Sequence, residues 1–362
     1  MITSEEIDKL FEKAELLRQK SRYPQALLSY KEALNKSIAA KDQDCAVACL
    51  LSIGDVNRMV GDFEQSEKAY TTVVTLAKKL KNEEAIADAK AGIGLSRRGR
   101  GDWKYALTML NQALIFYRKK RDREGVAFTL WSLAGTLRIK GDIPGAIKTY
   151  KEAFRAFQSL RSHSGIGYCL CGLGGSSRIA GRFKESLAYY LAANELFGGL
   201  CDTFGTAYSH CGTGNAYRMM GDYRKALASF AKASALYKKI GDRVSYSYTL
   251  WSMGTTHKML HDHSSAEKLF REAQELFKKT KDPRGLIYCQ LGFGEIALLR
   301  GKSAMALRYF RNALAQAKKY GFSVEGCHAA MLLSYADGKK NMLCYNKLGM
   351  KMSFNEAPFN IP

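Results

Sequence analysis

Thr213-Gly214-Asn215-Ala216-Tyr217-Arg218-Met219-Met220-Gly221-Asp222-Tyr223-Arg224-Lys225-Ala226 is the stretch that decides the fold. It runs from the end of one amphipathic segment, through Gly221-Asp222, into the start of another. Outward from it, the dipeptide recurs every forty residues: Ser21-Arg22, Gly61-Asp62, Gly101-Asp102, Gly141-Asp142, Gly181-Arg182, His261-Asp262 and Gly301-Lys302. A weaker marker lies midway, at Lys41-Asp42, Arg121-Asp122, Cys201-Asp202, Gly241-Asp242 and Lys281-Asp282. A fixed period of this length is the signature of a solenoid, in which one repeat position becomes one physical stripe.

Each unit divides into two helical halves. Arg123 to Lys140 carries Val126, Leu130, Leu133 and Leu137, and Ile143 to Leu160 carries Ala146, Ile147, Tyr150, Ala153, Phe154 and Phe157. Spacings of three and four predict amphipathic helices. Asp122 and Asp142 stand where a carboxylate accepts free backbone N–H groups, and Pro144 stands in the first turn, where its missing N–H costs little. Small residues fill one column of the first helix, including Gly54, Gly94, Gly174, Gly214, Gly254 and Gly294. An aromatic column of the second helix reads Tyr30, Tyr70, Tyr150, Tyr190, Phe230, Phe270 and Phe310. Glycine inside a helix costs about 1 kcal/mol against alanine. Its recurrence at one position therefore implies a packing constraint.

The stretch from Thr213 to Ala226, with Leu170-Cys171-Gly172-Leu173-Gly174 one repeat earlier, resembles the tetratricopeptide repeat family. The forty-residue length is similar to the long-helix variety of Leu-Gly-Asn adaptors and some bacterial regulators. The resemblance implies an all-α, right-handed superhelical solenoid of antiparallel helix pairs. Eight repeats are expected over 1–340, followed by a capping helix and extended tail over 341–362. It also implies a binding scaffold in place of an enzyme, with the first helices lining a concave groove.

Composition agrees with a folded helical chain. Of the 362 residues only 5 are Pro, so long helices are permitted. No stretch approaches the ~20 apolar residues that span a bilayer. Met1 to Lys20 is rich in Glu and Lys, unlike a signal peptide, so a cytoplasmic location is expected. The 9 cysteines are odd in number and fall mostly at helix-core positions, with no CxxC pair. Neither a disulfide framework nor a metal site is expected from them. The formal charge of +22 suggests an acidic partner. Part of it, such as Lys78-Lys79 and Lys318-Lys319, lies at second-helix C-termini, where cations complement the helix dipole.

Through the resemblance, the groove columns can be named. The clearest reads Arg18, Arg58, Arg98, Arg138, Arg178, Arg218 and Lys258, ending at Leu298. Neighbouring first helices stand roughly 10 Å apart, so like charges line up and an acidic ligand would relieve them. The competing reading pairs each cation with an acidic neighbour. A second column reads Phe128, Tyr168, Tyr208, Tyr248 and Tyr288, which serves either as flat ligand contacts or as packing between repeats. A third places Cys171 and Cys211 between Trp131 and Trp251, with Gly135, Gly175 and Asn215 nearby, which suggests a widened aromatic-walled pocket.

Other chemistries find little support. The glycines of Ser164 to Ser177 fall in register with the first-helix columns, and no strand precedes them, so they are not a nucleotide loop. None of the 6 His has HExxH spacing. Cys171 or Cys211 could be activated by Arg178 or Arg218, or could be an inert core thiol. The expected function is a non-enzymatic scaffold, without cofactor, that binds an acidic extended or helical peptide. The ligand-binding set is Arg58, Arg98, Arg138, Arg178, Arg218, Lys258, Phe128, Tyr168, Tyr208, Tyr248, Tyr288, Trp131, Trp251 and Asn215. Single-stranded nucleic acid in the same groove is the alternative, and a small-ligand carrier or an enzyme using the Trp and Cys pocket comes third.

Overall fold

The computed structural model describes residues 3–339, 342–352 and 356–362. Among them it is all helix, without a strand. The helices are α1 (Ser4–Gln19), α2 (Tyr23–Ala40), α3 (Gln43–Met59), α4 (Phe63–Leu80), α5 (Glu83–Gly99), α6 (Trp103–Lys120), α7 (Arg123–Lys140), α8 (Ile143–Ser159) and α9 (His163–Ile179). They continue as α10 (Phe183–Gly199), α11 (Thr203–Met219), α12 (Tyr223–Ile240), α13 (Arg243–Met259), α14 (His263–Lys279), α15 (Pro283–Leu299), α16 (Ser303–Tyr320), α17 (Ser323–Ala336) and α18 (Leu343–Lys347). Odd numbers up to α17 are the first helices of repeats. No helix among the described residues is long and apolar enough to cross a membrane.

The marker dipeptides have a physical origin. Their first residue closes the preceding helix in the left-handed region, at φ 81° for Gly61 and 84° for Gly221. Glycine bears that conformation without Cβ strain. The second residue caps the next helix: Asp62, Asp142 and Asp202 accept the backbone N–H groups of Gln65, Gly145 and Gly205. The midway turns use the same geometry, with non-glycine residues such as Lys81 at φ 56° and Cys201 at φ 54°.

Two compact units form, one from Met1–Thr129 with Lys238–Arg243, the other from Leu130–Tyr237 with Val244–Pro362. In the first unit Tyr70 of α4 lies between Gly54 of α3 and Gly92 of α5. In the second, Tyr190 of α10 lies between Gly174 of α9 and Gly212 of α11. A Cβ at Gly212 would stand 2.0 Å from the Tyr190 ring, so only glycine admits the ring there. Seating an aromatic in this way contributes about 2–3 kcal/mol of burial. One ring thus ties its own repeat to the next. Within each unit, consecutive first helices also touch directly, as in α3 with α5, α9 with α11 and α15 with α17. These first helices therefore stand side by side within their unit.

The end of the chain departs from the expectation in two ways. The capping helix is only α18, and parts of the stretch expected as cap and tail, Asn341 and 353–355, lie outside the described residues. Cys327 of α17 and Cys344 of α18 form a disulfide, contrary to the reading of the cysteines as uniformly free. Sequence position misled there, because α18 folds back and brings Cys344 against α17. Tyr345, fully buried, sets its hydroxyl 2.8 Å from His328 Nδ1, and the Lys351 N–H donates to Ala180 O at 3.2 Å.

Candidate functional site

The cation ladder runs through the first seven repeats, but its rungs live in different environments. In the first unit, Arg18 pairs with Glu15 at 2.5 Å and Arg58 with Asp55 at 2.9 Å, each three residues back on its own helix. Tyr30 and Tyr70 of the aromatic column donate to the same two carboxylates. At these two rungs the competing reading holds: the position three before the ladder supplies an acidic partner. Arg98 is half-buried in the same unit, and Phe128 is 38% exposed.

In the second unit the position three before the ladder is Gly135, Gly175, Asn215, Thr255 and Glu295. No carboxylate stands beside the first two rungs, and none of the ion pairs among the described residues includes Arg138 or Arg178. Arg138 lies among Tyr150, Tyr190 and Tyr208. Its Nη1 occupies the space where a Gly175 side chain would be, 2.3 Å from that Cβ position. The room expected to widen a pocket is therefore filled by this guanidinium. Arg178 Nε is buried and has no hydrogen-bond partner. Such an orphaned polar group costs about 1–3 kcal/mol.

Arg218 and Lys258, both in the expected ligand-binding set, are enclosed: Arg218 is fully buried and Lys258 nearly so. Arg218 donates from Nη2 to Asn215 Oδ1 at 3.1 Å, and its guanidinium lies 5.7 Å from the Trp251 ring centroid. Burial, then the like charge of Arg178, push its pKa down, to about 9. Lys258 Nζ meets Glu295 Oε2 at 2.5 Å, with both side chains almost completely enclosed. Burial lowers the lysine pKa, and Glu295 works against that.

What encloses these two rungs is the end of the chain. Residues 356–362 run without helix or strand across the first helices. The Ala357 N–H points to Tyr335 Oη of α17 at 3.4 Å, and the Phe359 ring meets the Tyr335 ring edge-on, at 4.7 Å between centroids. The Phe359 N–H donates to Glu295 Oε1 at 2.7 Å, and Lys258 Nζ donates to Phe359 O at 2.8 Å. One residue on, Arg218 Nη1 donates to Asn360 Oδ1, and Asn360 Nδ2 donates to Arg218 O at 2.6 Å. Phe359 and Ile361 are each 2% exposed. Four first helices, α17, α15, α13 and α11, thus grip one non-helical segment through its backbone, one amide side chain and two apolar anchors.

The aromatic columns stitch repeats together. Tyr168 Oη donates to Asp202, the cap of α11, at 2.8 Å, and Tyr248 faces Asp282, the cap of α15. Tyr288 is buried under Arg284, which donates to its hydroxyl at 3.2 Å. Trp131 and Trp251 reach forward in the same way, their indole N–H groups donating to Tyr168 O at 3.3 Å and Tyr288 O at 3.1 Å. Tyr208 remains beside Arg138, on the inner side. Of the two readings of Cys171, the inert core thiol is favoured: burial pushes its pKa well up, and the nearby Arg138 charge does not offset it. Among the described residues no group of His, Cys, Asp or Glu is arranged to hold a metal ion.

Sequence reasoning found the ladder and missed Glu295, Tyr335, Phe359 and Asn360. A signal existed for Glu295. It shares the repeat position of Glu15 and Asp55, and it stands where the ladder gives out at Leu298.

Residues 168–239 match the family model described as tetratricopeptide repeat. A search of curated proteins by sequence finds no match. Among solved structures, the chain is similar to a Rap protein complexed with competence and sporulation factor, with a TM-score of 0.61 and 13% identity over 96% of this chain and 99% of that one. It is also similar to the Rap conjugation gene regulator of the plasmid pLS20 in complex with the Phr* peptide, with a TM-score of 0.63 and 12% identity over 88% of this chain and 97% of that one. A third likeness is to a signal-transduction ATPase with a tetratricopeptide repeat sensor from Pyrococcus horikoshii, with a TM-score of 0.53 and 13% identity over 91% of this chain and 51% of that one. At these identities the likeness is one of fold. Residues 168–239 match the tetratricopeptide repeat model, and the chain as a whole shares the fold of these solved structures.

Proposed function

We propose that the chain is a non-enzymatic interaction scaffold that binds an extended acidic peptide along the first helices of its second unit. The observation that carries this is the grip on residues 357–360: an ammonium on a backbone carbonyl, a carboxylate on a backbone N–H, and a guanidinium on an amide side chain. These contacts are to the backbone and an amide side chain of a non-helical segment, which is the task of a peptide site. Peptide or protein ligands are named for two of the proteins of similar fold, competence and sporulation factor and Phr*. Acidity in the ligand is favoured by Arg138 and Arg178, which have no ion pair among the described residues. Arginine binds carboxylates through strong bidentate hydrogen bonds.

The test is alanine scanning of the full chain against a labelled acidic peptide and a labelled single-stranded oligonucleotide. A peptide meets a few rungs and its anchors, so losses are expected to be uneven: largest at Arg178 and Arg218, and smallest at Arg58, which has its own carboxylate. A nucleic acid sets a phosphate against each rung. Similar losses at Arg58, Arg98, Arg138, Arg178 and Arg218, each lowering the salt slope by about one, would establish the nucleic-acid reading instead.

A further inference from the structure

We infer that Phe359–Pro362 is an internal occupant of the peptide site, which a partner must displace. We further infer that the partner carries an apolar–Asn–apolar core with a carboxylate about three residues after the asparagine. The inference rests on the peptide-binding reading above and adds the ligand's pattern and the site's regulation.

The segment is bound as a ligand is bound. It contributes no helix or strand to the repeat and sits on the inner helices through contacts that any chain of its pattern could make. Two of them go to its backbone, from Glu295 and Lys258. Two go to the side chain of Asn360, which returns both its donor and its acceptor to Arg218. Phe359 and Ile361, on either side, are buried. The pattern read by the site is therefore apolar, Asn, apolar.

The segment leaves part of the site unsatisfied. It offers no acidic side chain to the rungs it covers, and Arg218 keeps a depressed pKa under burial and the charge of Arg178. One rung further along the same column, Arg178 Nε is buried without a partner. The chain direction matters here: Ala357 meets α17, Phe359 meets α15 and α13, and Asn360 meets α11. Continuing C-terminally leads towards α9, which bears Arg178. A rung spacing of roughly 10 Å is about three residues of extended chain. A carboxylate three residues after the asparagine reaches Arg178, satisfies its orphaned N–H and compensates the Arg178–Arg218 repulsion. A ligand with that carboxylate makes a contact to Arg178 Nε that residues 357–362 do not make, and this difference in affinity drives displacement.

The experiment uses the full chain and a labelled heptapeptide, Ala-Pro-Phe-Asn-Ile-Pro-Glu, with a Gln-terminated control, both amidated. Binding is followed by fluorescence anisotropy to the unaltered protein and to the Phe359→Ala/Asn360→Ala double variant. The double variant is expected to bind the Glu peptide at least tenfold more tightly than the unaltered protein, and the Gln peptide more weakly than the Glu peptide. Adding Arg178→Ala should abolish the Glu preference. Equal, measurable affinity for both proteins would overturn the occupant while leaving the peptide site standing. Absence of binding to both, by this peptide and by acidic peptides of other sequence, would overturn the site itself. Hydrogen exchange in the unaltered chain gives an independent check without substitution. The Phe359 amide is expected to exchange faster than the α11 and α13 amides, and faster again when the Glu peptide is added. Exchange of Phe359 only at the rate of global unfolding would overturn the occupant.

Discussion

At the scale of single residues, the repeat depends on glycines that have no freedom to change. Gly212 admits the Tyr190 ring only because it lacks a Cβ. Gly212→Ala is expected to destabilise the chain by about 1–3 kcal/mol, the usual cost of overpacking, read as a lower urea midpoint with an unchanged slope. Helix propensity alone predicts the opposite sign, a gain of about 1 kcal/mol on replacing helical Gly by Ala, so the sign of the change decides between them. His328 is fully buried beside Tyr288 and Tyr345, and burial, then the charges of Arg284 and Arg178, lower its pKa to about 3. An unfolded histidine titrates near ~6.5. Below that value the unfolded state binds the extra proton, so stability is fully present above it and falls as the pH drops towards the folded value. Between pH 7 and pH 5 the loss expected from this group is about 2 kcal/mol. His328→Gln should flatten the slope of unfolding free energy against pH in that window; an unchanged slope would assign it to other groups.

At the scale of elements, each first helix is held to the next by groups that sequence inspection could equally assign to a ligand. Tyr168, whose hydroxyl reaches the cap of α11, is the clearest case. Tyr168→Phe is expected to cost about 1 kcal/mol of stability, the net worth of one hydrogen bond, and to leave peptide affinity within twofold. A stability change near zero with a large loss of affinity would make Tyr168 a ligand contact. The fold was legible at this level because its signals are local. A left-handed turn residue, a capping Asp and a small-against-aromatic pair are each written within forty residues, and they recur. The site was legible only in part. A column shows that a cation is present at each rung, but whether that cation is paired depends on what faces it. For Arg58 the partner is one turn away, at Asp55. For Lys258 it is on the following first helix, at Glu295, and on a segment 101 residues on, at Phe359. No local pattern encodes that last contact. The Cys327–Cys344 disulfide escaped for the same reason, since α18 lies outside the repeat and its position obeys no periodicity.

At the scale of the whole molecule, the charge of +22 has several origins. Some of it complements helix C-termini, some is neutralised within single helices of the first unit, some is paired between helices of the second, as Lys258 is with Glu295, and Arg138 and Arg178 enter none of the ion pairs among the described residues. The account predicts binding along α9, α11, α13 and α15, with Arg178 of α9 supplying uncompensated charge. Salt should weaken binding, yet salt dependence alone does not separate an acidic peptide from a nucleic acid, since both lose counterion-screened contacts. Location separates the accounts more directly. The decisive measurement is hydrogen exchange of the full-length Phe359→Ala/Asn360→Ala chain, in which the internal occupant is released, with and without a saturating acidic peptide. The account predicts new protection confined to the first helices α9, α11, α13 and α15, with α10, α12 and α14 unchanged. Protection on the second helices, or none anywhere while the peptide is bound, would contradict it.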